Sequence, residues 1–101
     1  MNFKKKKDGT ELTVAISGRI DTATAPEVEA YISRNLDGID NLILDFKEVN
    51  YVSSAGLRVL LSLQKKMMAV GEMKLISVNE SVCDVFEVTG FDEILKYEKG
   101  E

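Results

Sequence analysis

Histidine does not occur among the 101 residues of this chain. Its absence removes the side chain most often used as a general base, as the proton carrier of a nucleophilic triad and as a metal ligand. Cysteine occurs once, as Cys83, so no internal disulfide can form and no zinc site can be built from Cys and His. Cys83 stands among Val82, Val85 and Phe86. That setting reads as a buried free thiol in a reducing compartment, with a reactive thiol as the other reading. No stretch approaches the roughly 20 apolar residues of a membrane span. The basic start, Met1 to Lys7, is not followed by the apolar segment of a leader. The expected location is therefore the cytoplasm, without membrane insertion.

Excess positive charge is missing too. Lys and Arg number 13 against 17 Asp and Glu, for a net charge of −4, which is the wrong balance for nucleic acid. Lys4 to Lys7 form a basic run, but it leads straight into Asp8-Gly9, and a charged edge strand that protects a sheet from aggregation needs no ligand. Neither Gly-x-x-x-x-Gly-Lys-Ser/Thr nor Gly-x-Gly-x-x-Gly occurs, so no recognised loop cradles nucleotide phosphates. Paired carboxylates remain, but Asp21 and Asp45 are the only acids beside plausible strand ends. The sequence thus gives an enzyme little to work with, and it implies no cofactor and no metal.

Apolar residues make up 45% and charged residues 30% of the chain. This is enough for one hydrophobic core with a solvated surface, and the length suits a single domain over residues 1–101. Residues 2–7 and 11–17 flank Asp8-Gly9, a hairpin signal. In the second arm Leu12, Val14 and Ile16 alternate with Thr13, Ala15 and Ser17, as in a half-buried strand. Gly18-Arg19-Ile20-Asp21 reads as a loop. Thr24-Ala25-Pro26-Glu27 reads as a helix start with a capping Thr, and Val28, Tyr31, Ile32 and Leu36 share a face up to Asp37-Gly38. Residues 42–46 form a short apolar run suited to a central strand. From Ser54 to about Val70 the spacing of Leu57, Leu60, Leu61, Met67 and Met68 is helical, and Gly71 closes the segment. Val59 and Leu63 widen the apolar surface, implying either a helix packed on two sides or an exposed stripe. Met67, Met68 and Met73 read as core filler. Residues 73–78 form another strand. Asn79 or Ser81 caps a third helix that Gly90 stops, and residues 94–98 suggest a last short strand. The order β-β-α-β-α-β-α-β predicts an α/β fold: a mixed, mostly parallel sheet of four to five strands with helices packed on it.

One strand-to-helix junction stands out, running from Phe46 through Val52-Ser53-Ser54-Ala55-Gly56-Leu57 to Arg58. Two hydroxyls sit at a helix N-terminus, and a glycine follows inside the first turn, where it costs about 1 kcal/mol relative to alanine. Such a glycine suits close packing of the turn on the sheet, or close approach of another group to the backbone. Ser53 can be the N-cap with Ser54 an ordinary first-turn residue. Alternatively Ser54 accepts a phosphoryl group, whose charge near −2 the helix N-terminus stabilises.

Residues 42–46 followed by Val52 to Leu57 resemble the signature of the STAS domain, and more narrowly that of bacterial anti-sigma factor antagonists. Gly18-Arg19-Ile20-Asp21 and Thr89-Gly90-Phe91 add to the resemblance, which spans essentially the whole chain in order and spacing. It implies a partner-switching regulator rather than an enzyme. In that family the unphosphorylated protein binds an anti-sigma factor that is also a serine kinase. Phosphorylation ends the interaction and a serine phosphatase reverses it. The phosphorylated serine corresponds to Ser54, with Ser53 as the alternative, and the loop acid near it to Asp21. The implied partner-binding residues are Asp21, Thr22, Ser53, Ala55, Gly56, Leu57 and Arg58, and nothing requires more than a monomer. The chain departs from the family in having Ser53 where Asp commonly precedes the phosphorylated serine, and in carrying little of the fourth helix that many relatives have. The other reading is a STAS adaptor that is not phosphorylated, serving as a subunit of a transporter or a signalling assembly.

Overall fold

A computed structural model describes residues 1–100. Five strands, β1 (Asn2–Asp8), β2 (Glu11–Ile20), β3 (Asn41–Val52), β4 (Glu72–Val78) and β5 (Lys96–Lys99), lie side by side in that order. The β1–β2 hairpin is antiparallel and every other pair is parallel. Three helices, α1 (Ala25–Ser33), α2 (Ser54–Met68) and α3 (Glu80–Thr89), make the crossovers between β2 and β5. This is the predicted α/β order, with the fifth strand present.

Each strand follows from its alternation. Leu12, Val14 and Ile16 on β2, Leu42, Leu44 and Phe46 on β3, and Met73 and Leu75 on β4 are buried beneath the helices. The residues between them are half-buried on the opposite face. Neighbouring crossovers of one hand put all helices on one side of such a sheet. Lys4 to Lys7 lie exposed on β1, the outermost strand, where like charges discourage edge-to-edge pairing. Phe3 anchors that strand, its ring stacked on Tyr31 of α1 at 4.2 Å between centroids.

Several boundaries differ from the sequence reading. Gly18, Arg19 and Ile20 belong to β2, because the ladder with β3 continues past two register shifts to Arg19↔Tyr51 and Ile20↔Val52. For the same reason β3 runs on beyond Phe46 to Val52. α1 ends at Ser33, short of Asp37-Gly38, as the Asn35 side chain donates to the Tyr31 carbonyl at 2.7 Å and takes up an acceptor of the last turn. The closing strand starts at Lys96, since a 3-10 turn over Phe91–Glu93 occupies the preceding chain. Met67 and Met73 are core residues, whereas Met68 is 71% exposed. Asn79, not Ser81, caps α3, its side chain accepting from the Val82 N–H at 2.9 Å. α2 is packed on two sides: Leu60, Leu63 and Met67 are buried with the sheet core, and α2 also packs along α1. Cys83 is buried and free.

Candidate functional site

The parallel pairing of β2 with β3 ends at Ile20 and Val52, so both strands deliver their following loops to the same end of the sheet. Ser53 is engaged there through its N–H, its carbonyl and its hydroxyl oxygen. Its N–H donates to the Ile20 carbonyl at 2.9 Å, and its carbonyl accepts from the Leu57 N–H at 2.9 Å. Its hydroxyl accepts from the Gly56 N–H at 3.4 Å, and its backbone is extended, so Ser53 is the N-cap of α2. Ser54, the first helical residue, is exposed, and its hydroxyl has no side-chain hydrogen bond among the described residues. The two adjacent hydroxyls therefore have different roles: one holds the helix start and the other faces solvent.

Gly56 shows why a helix start tolerates a poor helix former. A Cβ on it would lie 2.8 Å from the Ile20 carbonyl oxygen, 2.8 Å from Val52 Cγ1 and 2.9 Å from Ile20 Cγ2. Close packing of the first turn on the two strand ends is thus the operative reason for this glycine. Gly56 and Leu57 are buried, and so lie beneath the surface rather than on it. α1 and α3 carry an acid in the first turn, Glu27 and Glu80, whereas α2 carries none. The first turn of α2 itself thus supplies no acid to the positive end of its dipole.

The loop between β2 and α1 is built around Asp21. Its Oδ1 accepts from the N–H groups of Ala23 at 3.0 Å and Thr24 at 3.1 Å, while its carbonyl accepts from the Ala25 N–H at 2.8 Å. Thr24 makes no side-chain cap to α1. Its hydroxyl instead donates to the Arg19 carbonyl at 2.6 Å and accepts from the Asp21 N–H at 2.9 Å. The capping role expected of Thr24 is left unfilled because its hydroxyl is occupied in bracing the end of β2, and the Asp21 carboxylate instead holds the turn that leads into α1. The Thr24 N–H above all, then those of Ala23 and the Thr24 hydroxyl, with the Arg19 charge, hold the Asp21 carboxyl below its usual 3.8, against an opposing contribution from burial. Arg19 lies over the Tyr51 ring at 4.2 Å, with Nε 3.7 Å from Asp21 Oδ2.

Beside these loops, α1 and α2 form an open groove of about 280 Å³ lined by Thr22, Ala25, Pro26, Glu29, Ala55, Arg58 and Val59. Of the partner-binding residues expected from sequence, Thr22, Ala55 and Arg58 meet here, with Asp21 and Ser53 in the adjoining loops. Sequence reasoning missed Tyr51, Pro26 and Glu29. The Arg19–Tyr51 contact depends on a cross-strand register that only the fold fixes, while Pro26 and Glu29 were legible only as parts of a helix. Among the described residues no group of three or more His, Cys, Asp or Glu could hold a metal ion, and no helix is long and apolar enough to cross a membrane.

Known proteins share this architecture. BtrV of Bordetella bronchiseptica, whose name places it among the anti-sigma factor antagonists, is 38% identical over 88 residues, covering 85% of this chain and 75% of BtrV. The crystal structure of an anti-sigma factor antagonist from Mycobacterium paratuberculosis superposes with a TM-score of 0.85 at 23% identity, over 95% of this chain and 83% of that one. The Bacillus protein SpoIIAA has the same fold in its unphosphorylated and phosphorylated forms. TM-scores are 0.74 and 0.72 at 17% and 18% identity, over 99% and 97% of this chain and 90% and 92% of SpoIIAA. The family model described as "STAS domain" matches residues 2–100, and the chain belongs to the STAS domain family.

Proposed function

We propose that this protein is an anti-sigma factor antagonist that works by switching partners in the cytoplasm, as one domain and without catalysing a reaction. Unmodified, it binds an anti-sigma factor with serine kinase activity through the surface formed by Asp21, Thr22, Ala55 and Arg58 around Ser54. The kinase then transfers the terminal phosphoryl group of a nucleoside triphosphate to the Ser54 hydroxyl. The new O–P bond forms as the bond to the nucleoside diphosphate breaks, and the hydroxyl proton passes to a base of the kinase. A serine phosphatase restores the free hydroxyl.

The observation that carries this reading is the division of labour between the two serines. Ser53 caps the helix with its hydroxyl while Ser54 stands exposed with its own unengaged. A phosphate on Ser54 leaves the capping bonds intact and meets free amides and a helix dipole that stabilise it. It therefore adds bulk and charge to a surface without unfolding it. The antagonist name belongs to BtrV, a relative in sequence, and to the Mycobacterium protein, a chain of this same fold, and the SpoIIAA structures hold the fold in both phosphorylation states.

The test is a binding titration of the purified chain against the anti-sigma factor of its own host. Ser54→Ala keeps the affinity of the unmodified protein, and Ser54→Asp weakens it at least about tenfold, or about 1.4 kcal/mol. Equal affinity for both variants contradicts the switch and points to an adaptor that is not phosphorylated, the reading that Ser53 in place of Asp favours.

A further inference from the structure

Arg58 stands four residues after Ser54, which places the two side chains on one face of α2 a single turn apart. It is exposed and lines the groove against α1. No ion pair or side-chain hydrogen bond engages it among the described residues. In the resting chain it stands in the second turn of a helix whose first turn holds no acid.

We infer that Arg58 is the internal receptor for a phosphate on Ser54, an inference that rests on the reading of Ser54 as the modified residue. An acid placed four residues before a base is the favourable orientation on a helix. A phosphate near −2 also offers oxygens that the planar guanidinium fork can engage in pairs. The charged groups on the neighbouring elements are Glu27 and Glu29 on α1, the first paired with the N-terminal ammonium, and Arg19 and Asp21 around the end of β2. Glu29 and Asp21 oppose a second anion here. Arg19 is held between Asp21 and the Tyr51 ring, which leaves Arg58 as the cation free to respond.

The pairing has a consequence for the groove. Its charged lining consists of Arg58 and Glu29. Once the guanidinium turns to the phosphate, only the acid remains on offer. A modification at the helix tip thereby changes the charge of the groove lining one turn away.

The test uses the full chain with phosphoserine placed at position 54 during synthesis, followed through a pH titration by 31P NMR. The second ionisation of the phosphate, ordinarily near a pH of about 6, moves up by about 0.2–0.4 pH unit when Arg58→Gln removes the charge. Arg58→Lys, which keeps the charge but not the fork, recovers part of that shift. Coincident titrations of the wild-type and Arg58→Gln phosphoproteins overturn the inference. Because the phosphate is installed without a kinase, an absence of Ser54 phosphate in the host would sink the proposed switch and leave the titration of Arg58 unaffected.

Discussion

Ser53 and Ser54 are chemically identical neighbours, and their surroundings separate them. Ser53 Oγ is an acceptor for the Gly56 N–H, and losing an N-cap costs about 1 kcal/mol, within a range of roughly 0.5–2. At 3.4 Å this bond is long, which places Ser53→Ala toward the lower half of that range. Ser54 makes no such bond, so Ser54→Ala changes stability by no more than about 0.5 kcal/mol in either direction. Urea denaturation of the two variants reads the difference. A larger loss for Ser54→Ala than for Ser53→Ala would reverse the assignment of cap and exposed hydroxyl. The Ser-Ser pair was legible in the sequence as a helix start with Ser53 able to cap and Ser54 in the first turn, and the fold has that arrangement. Gly56 was more informative: a poor helix former in a first turn signalled close packing, and Ile20 and Val52 are what it packs against.

At the scale of elements, the turn from β2 into α1 depends on one carboxylate. The Asp21 pKa is lowered in the fold, chiefly by the Thr24 N–H, so the folded chain binds fewer protons on this group than the unfolded chain does. Its contribution to stability is fully present above the unfolded value near 3.8 and is lost as pH falls through the lower folded value. A carboxyl-carbon NMR titration of Asp21 is expected to give a midpoint below 3.8. The stability advantage of the wild type over Asp21→Asn should narrow as the solution is made more acidic than that. A midpoint at or above the ordinary value would mean that the loop does not hold the carboxylate as described. Here the sequence misled in an instructive way. Thr24-Ala25-Pro26-Glu27 has the composition of a capped helix start, yet the Thr24 hydroxyl is drawn to the Arg19 carbonyl, and the strand that supplies that carbonyl was read as a loop. Local propensity identified the elements correctly. The ladder between β2 and β3, a long-range interaction, decided where they end.

The whole molecule is held by one core. Leu12, Leu42, Leu44, Phe46, Leu60, Leu63 and Phe86 belong to a single buried cluster. The Cα radius of gyration is 12.3 Å, close to the ~13 Å of a 100-residue domain. Residues 1–100 therefore should unfold as one cooperative unit. Cys83 is the natural reporter, since the chain has no other thiol and no tryptophan. Burial pushes its thiol pKa up and shields the sulfur, so a disulfide reagent should label it at least about a hundredfold more slowly in the native chain than in urea. The labelling transition should coincide with that seen by circular dichroism. Rapid labelling of the native protein would expose a locally open α3. The strand-helix alternation and the core were readable at this scale because hydrophobic period survives without tertiary knowledge. The groove was not, because it exists only where α1 and α2 meet.

The central claim is that a phosphate arrives on Ser54, and peptide-level mass spectrometry of the protein recovered from its own host tests it most directly. The account predicts a single phosphate, on Ser54, in a fraction of the molecules, with Ser53 unmodified. A phosphate on Ser53 would contradict the assignment of the cap. Its absence under every growth condition, with a stable partner in the same preparation, would contradict the switch itself.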